Sequence, residues 1–287
     1  MTCRTIAVAN QKGGTAKTAT ALSLGVALAR RGRRVLLVDA DPQGDLTKSL
    51  GWRDPDSLQT TLATHLAAAI EGSDDDPAAG TLRHREGVDL MPSNIELAAM
   101  EMAVFMAMSR ERMMGAWLAP IKPAYDYVIV DCAPTLGIIP INALAAADSV
   151  LIPVSAEYLP ASGMTGLLKT VNRVRRQINP SLSVEGILVT LYDSRNNLAR
   201  EVERAVRGQY GKAYRVFETV VPRAVSAAES AAAGESVFSY DPDGKVAASF
   251  ARLAAAVEPG GAVVRPRAYR RGHVGAGGWG LGPRGAR

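Results

Sequence analysis

Asn10-Gln11-Lys12-Gly13-Gly14-Thr15-Ala16-Lys17-Thr18 decides how this chain reads. A β-rich run, residues 4–10, leads into it. Residues 19–31 leave it with helical spacing, putting Leu22, Val26 and Ala29 on one face, and Gly32 stops that helix. A glycine loop between strand and helix is the setting that a phosphate-binding loop requires. Glycines let backbone amides turn inward around phosphate oxygens, and the helix N-terminus adds partial positive charge. Gly13, Gly14, Thr15, Ala16 and Ala19 would build the cradle. Lys17 would reach the β- and γ-phosphates, and the Thr18 hydroxyl would bind Mg2+. A glycine pair alone marks a turn; two lysines and a threonine around it mark a nucleotide site.

Outward from the loop, short apolar runs alternate with helical patterns. Residues 35–38 end at Asp39, and residues 127–130 end at Asp131. Further strands are expected at 88–91, 149–154, 184–191 and 214–217, and one long helix at 95–118. This alternation predicts an α/β fold: a single doubly wound, mostly parallel sheet with helices on both faces, as in P-loop NTPases. Ligands bind such sheets at the carboxyl ends of the strands, so the polar residues after each run carry the information. Residues 71–87, with their aspartate run and Gly80, read as a surface excursion.

The 287 residues are 47% hydrophobic and 21% charged, which excludes a wholly disordered, collagenous or coiled-coil chain. Cys3 and Cys132 are too few for a disulfide framework or an iron–sulfur site, and Cys132 reads as a small core residue. His65, His84 and His273 lack metal spacing. No apolar run reaches the roughly 18 residues that span a bilayer, and no signal peptide is expected. Seven of the nine methionines fall between Met91 and Met114, and core packing is their expected use. The net charge of +5 belongs to residues 259–287, which hold six arginines and no acid; the rest carries 27 basic and 28 acidic residues. The expected division is one folded domain over 1–258 and a basic, Gly/Arg-rich, disordered tail over 259–287. Such a tail can add salt-sensitive affinity for nucleic acid.

Lys12 makes the loop more specific. Asn10-Gln11-Lys12-Gly13-Gly14 with Lys17-Thr18 resembles the deviant Walker A loop of the ParA/MinD ATPases. The stretch from Val35 to Gly44, with Asp39-Ala40-Asp41-Pro42, resembles their switch I, and that from Tyr125 to Gly137 their Walker B strand and switch II. Leu191-Tyr192-Asp193-Ser194-Arg195 and Val220-Val221-Pro222-Arg223 are similar to segments of the chromosomal ParA proteins often called Soj. The resemblance covers residues 4–257.

That resemblance implies a Mg2+-dependent ATPase in chromosome or plasmid segregation. ATP would close a sandwich homodimer that binds DNA nonspecifically, and a ParB-type centromere-binding partner would stimulate hydrolysis and release. It assigns catalysis to Lys17, to Lys12 reaching across the dimer, and to Asp41 orienting the attacking water. Metal falls to Thr18, Asp39 and Asp131, the adenine pocket to Pro222 and Arg223, and DNA to Arg195 and Arg223. The implied location is the cytoplasm, on the nucleoid, without membrane contact. A MinD-like membrane-recruited regulator and a ParA-like ATPase positioning a protein cargo are the alternatives; the tail lacks the amphipathic helix of the first. With the loop starting near residue 10, no N-terminal helix-turn-helix domain is expected. Two departures matter. Ala16 stands where the family usually has glycine, and its Cβ is strained if the backbone needs positive φ. Val225 stands where the family often has another arginine, which thins the basic surface.

Overall fold

The computed structural model describes residues 3–73, 75–157 and 163–258. The first half runs β1 (Arg4–Val8), α1 (Lys17–Arg30), β2 (Val35–Ala40), α2 (Asp45–Ser49), α3 (Leu62–Glu71), β3 (Leu82–Arg83), β4 (Val88–Met91), α4 (Glu96–Met106) and α5 (Met113–Ile121). The second runs β5 (Tyr127–Cys132), α6 (Ile138–Ala146), β6 (Ser149–Ser155), α7 (Gly163–Gln177), β7 (Ser183–Tyr192) and α8 (Asn197–Tyr210). It closes with β8 (Val216–Pro222), α9 (Ser226–Ala233), α10 (Val237–Tyr240) and α11 (Lys245–Val257).

The strands form one sheet in the order β3-β4-β2-β5-β1-β6-β7-β8. Only the short β3–β4 pair is antiparallel. Helices cover both faces, so every residue of β2 and β5 is buried. That is why these strands read as unbroken apolar runs. Successive side chains go to opposite faces. Leu36 and Val38 enter one core with Val130 and Leu144, while Val35 and Leu37 enter the other with Leu24 and Phe250. Helix α1 rides close to β2: a β-carbon on Gly25 would lie 2.5 Å from Leu37 Cδ2. The doubly wound, mostly parallel α/β sheet expected from the sequence is the fold.

Three local expectations need correction. The long helix at 95–118 is two helices, α4 and α5. Ala107 is extended, Ser109 turns left-handed at φ 51°, and a short 3-10 turn covers Arg110–Arg112. Asn142 of α6 holds this break, donating to the Arg110 carbonyl (2.7 Å) and accepting from Met114 N–H (3.1 Å). The last strand begins at Val216 and runs on to Pro222, because Tyr214 N–H still bonds the Tyr210 carbonyl that ends α8. Core packing describes only part of the methionine cluster: Met91 and Met114 are buried, whereas Met102, Met106 and Met108 are exposed.

The excursion after α3 is pinned at two points. Trp117 Nε1 donates to the Pro77 carbonyl (2.9 Å), and His65 Nε2 lies 2.9 Å from the Ala79 carbonyl. At the other pole, buried Glu258 pairs with Arg31 and Arg33, and Arg4 donates to the Val257 carbonyl. The end of α11 is thereby fixed beside the N-terminal ends of β1 and β2. The expected basic tail, 259–287, lies outside the described residues.

Candidate active site

The loop leaves β1 at the carboxyl edge of the sheet, with β5 and β6 on either side. Local hydrogen bonds set its shape. Asn10 Nδ2 donates to the Pro153 carbonyl (2.7 Å), and Asn10 Oδ1 accepts from Lys12 N–H (3.0 Å). Thr190, buried on β7, donates to the Thr15 carbonyl (3.1 Å). The loop is therefore held by three strands before any ligand arrives, which is the preorganisation a phosphate cradle needs.

Ala16 takes the strained conformation, with φ 60° and ψ 37°. The left-handed region costs a residue with a β-carbon about 1 kcal/mol or more. Its carbonyl meanwhile accepts from Thr20 N–H and Thr20 Oγ1, so the strain is locked in by the first turn of α1. Ala16→Gly is expected to stabilise the fold by about 0.5–1 kcal/mol, the relieved strain exceeding the added chain entropy of the unfolded state. Urea unfolding checks it; a lower midpoint would mean that the methyl group contributes packing worth more than the strain.

Lys17 is buried and its Nζ donates to the Lys12 carbonyl (3.2 Å), while the Lys12 side chain is exposed. Burial lowers the Lys17 pKa, against the opposing pull of Asp131. Asp39 and Asp131 stand opposite each other on β2 and β5, both fully buried. Their roles differ. Both Asp39 oxygens are in use: Oδ2 accepts from Thr47 N–H (2.9 Å) and Thr47 Oγ1 (2.7 Å), and Oδ1 from Asp41 N–H (3.3 Å). Asp39 thus ties the chain after β2 in place through Thr47 and the Asp41 backbone. Burial pushes it up to about 6.

Asp131 Oδ1 is buried without a hydrogen-bond partner. Burial, then neighbouring Asp39, hold its carboxyl well above the ordinary range, while Thr18 and Lys17 favour the charged form. An orphaned buried carboxylate oxygen beside a hydroxyl, at the rim of a phosphate cradle, fits a hydrated divalent cation. Among the described residues, no group of three or more His, Cys, Asp and Glu side chains could hold a metal by itself. Asp41 sits nearer the surface, its Oδ1 accepting from Gln43 N–H (3.0 Å).

A cleft of about 450 Å³ opens over the loop and is lined by Gly13, Gly14, Thr15, Ala16, Lys17, Thr18 and Ala19, with Asp41 at its side. Its far wall is α9, through Ala227, Ser230 and Ala231. Sequence reading missed this wall, because small residues on a helix carry no chemical signal. Pro222 and Arg223 do not line this cleft. Arg195 and Arg223 lie on neighbouring loops, joined by Arg223 N–H to the Tyr192 carbonyl (3.1 Å). Each is paired, Arg195 with Asp193 (3.0 Å) and Arg223 with Glu157. Both are well exposed, so these pairs are weak and a phosphate could replace the acids. Cys132 is a core residue, and burial pushes its thiol up.

The fold and the loop define a nucleotide-binding protein of the P-loop class. Residues 3–184 match a family model described as "AAA domain". The sporulation initiation inhibitor protein Soj of Bacillus subtilis is 40% identical over 258 residues, 89% of this chain and 98% of that protein. The chromosome partitioning protein ParA of Caulobacter vibrioides is 37% identical over 240 residues, 83% and 87% of the two chains. A structure solved as cobyrinic acid a,c-diamide synthase from Mycobacterium smegmatis, with bound ADP and magnesium, superposes with a TM-score of 0.76. It is 39% identical and spans 88% of this chain and 93% of that one. The chain belongs to the ParA/Soj family of deviant Walker A ATPases.

Proposed function

We propose that this chain is a DNA-partitioning ATPase whose working form is a dimer closed by ATP. The observation that carries the reading is the pair of lysines in one loop. Lys17 is buried beside the phosphate cradle, and exposed Lys12 can extend toward a second chain. Lys17 binds the β- and γ-phosphates, and Thr18 and Asp131 hold Mg2+, with Asp39 fixing the loop that carries Asp41. Mg2+ supplies charge neutralisation at the phosphates. Asp41 orients the attacking water. Lys12 of each chain stabilises charge developing at the other's nucleotide. Because the γ-phosphate is shared across the interface, nucleotide state and dimer surface are coupled. Arg195 and Arg223 contact DNA phosphates without reading bases. A ParB-type partner stimulates hydrolysis and so releases the DNA. Residues 1–258 form the ATPase domain and 259–287 a basic tail, and the protein works in the cytoplasm on the nucleoid. Among the described residues, no helix is long and apolar enough to cross a membrane.

The synthase name borne by the Mycobacterium smegmatis structure suggests amide formation instead. Drawing ammonia from an amide donor by way of a thioester needs an accessible, nucleophilic thiolate. Cys132 is buried, and burial pushes the Cys3 thiol up as well. The cysteine chemistry therefore favours the partitioning reading.

The test is binding to long nonspecific duplex DNA with ATP, with ADP and without nucleotide, across a salt series. Binding should need ATP and weaken with salt. Arg195→Glu and Arg223→Glu should each weaken it about tenfold or more, since each reverses a charge near phosphate. A chain ending at Glu258 should keep ATP-dependent binding, because Arg195 and Arg223 remain, and lose only the salt-sensitive affinity that the six tail arginines can add. No ATP-dependent binding by a chain shown to dimerise would overturn the proposal.

A further inference from the structure

A groove of about 750 Å³ runs between α4, the start of α6 and α7. It shares no lining residue with the nucleotide cleft. Its floor is apolar, starting at Leu136 and Gly137 and continuing through Ile138 and Ile141, while Glu101, Arg110 and Glu111 line its α4 side.

The α4 wall carries an exposed apolar stripe, crossed at Phe105 by the Arg110 guanidinium, 4.7 Å from the ring centroid. Ile95, Met102 and Phe105 recur at helical spacing and are 55%, 68% and 51% exposed. Met106 and Met108 extend the patch. Together with Leu136, these make up six of the ten exposed large apolar side chains among the described residues. Single exposed methionines need no explanation, but a stripe along a groove marks a contact surface. Flexible thioethers suit it to an apolar partner of variable shape.

The opposite wall is cationic. Helix α7 carries Lys169, Arg173, Arg175 and Arg176 and no acid. Its Leu167, Val171 and Val174 are buried in the core, so the charged row faces outward. None of the four cations is ion-paired among the described residues. Lys169, Arg173 and Arg176 share one shallow hollow, which meets the groove at Arg173 and Gln177. By contrast, Arg195 and Arg223, the arginines assigned to DNA, already have acidic partners.

We propose that this groove docks an amphipathic helix of a partner protein. Its apolar anchors enter between Phe105 and Val174, and its acidic flank lies along Lys169, Arg173 and Arg176. An apolar channel between two helices is the shape that a third helix fills. The unpaired cations select the charge of its flank. A second copy of this chain fits worse, since it would bring one basic α7 row toward another. DNA would satisfy the cations but leave the Met102–Phe105 stripe uncovered. The inference is independent of the nucleotide chemistry, and so is its test.

The probes are two labelled peptides of about 18 residues, long enough to form a helix on binding. Both carry leucines at the same helical spacing; one has glutamates on its remaining positions and the other lysines. At low salt the full chain should bind the acidic peptide at least about tenfold more tightly than the basic one. Phe105→Ser should weaken the acidic peptide about tenfold, and Arg173→Glu with Arg176→Glu should reverse the preference. These side chains are exposed or on the groove rim, so each variant should melt near the parent temperature. Equal binding, no binding, or binding indifferent to Phe105→Ser overturns the proposal. So does capture of the chain by anionic phosphatidylglycerol vesicles or duplex DNA through the α7 arginines while both peptides fail. A drop in sedimenting mass on Phe105→Ser would assign the groove to a second copy instead.

Discussion

Replacing Lys17 with glutamine is expected to weaken ATP binding by roughly 100-fold and to abolish the thermal stabilisation that ATP and Mg2+ give the parent protein. Three features of the site set that magnitude. Lys17 is buried, so its charge meets phosphate in a medium where water screens little. It leans on the Lys12 carbonyl when no nucleotide is present, a single neutral acceptor that phosphate oxygens readily outcompete. Burial disfavours its charged form, so bound phosphate restores a charge that the empty loop discourages. Losing one partner of a buried charge-assisted contact costs about 3 kcal/mol, which is the 100-fold stated. Glutamine keeps most of the side-chain volume, so the loop should fold as before. Calorimetric titration with a non-hydrolysable ATP analogue reads the affinity directly. Near-parental affinity would mean that the backbone cradle alone holds the phosphates and that Lys17 serves another end.

The same geometry explains which parts of the site could be read from sequence. β2 and β5 announce themselves because strands buried on both faces are unbroken apolar runs, and Asp39 and Asp131 stand out as the charges that end them. The glycines and lysines of the loop are equally visible, since phosphate binding demands those residue types in order. Ala16 could be singled out as a strain site in advance, and its backbone does lie at φ 60°. What stayed hidden depends on contacts distant in sequence. The break between α4 and α5 is held by Asn142, far along the chain on another helix, and helical periodicity runs straight through it. Thr47, which occupies Asp39, is an ordinary residue in a short helix. Whether a methionine on α4 faces the core or solvent turns on that same break, so Met102, Met106 and Met108 could not be separated from buried Met114 by composition.

Asp131→Asn should make the ligand-free protein more stable at pH 8 while removing its response to Mg2+. Asp39 and Asp131 face each other across β2 and β5, and Asp39 adds to the cost of ionising Asp131. Both carboxyls have folded-state pKa values above their unfolded values. Between the two values the folded chain therefore holds more protons than the unfolded chain, and stability falls as pH rises. For Asp39 that window runs from the ordinary aspartate value of 3.8 to about 6, and for Asp131 it extends upward from the same start. The loss from Asp39 alone amounts to about 3 kcal/mol by pH 8. Asparagine at 131 removes one buried charge outright, so the fall of stability with rising pH should flatten. In the parent, Mg2+ with nucleotide should recover much of the lost stability by supplying the cation that the orphaned Asp131 oxygen lacks. In the variant that gain should vanish, and ATP hydrolysis should drop by about 100-fold or more. Melting curves across pH, with and without Mg2+ and nucleotide, separate the two effects. A variant less stable than the parent at pH 8 without ligands would show that Asp131 is held by favourable contacts in the empty site, and that its carboxylate is not waiting for a cation.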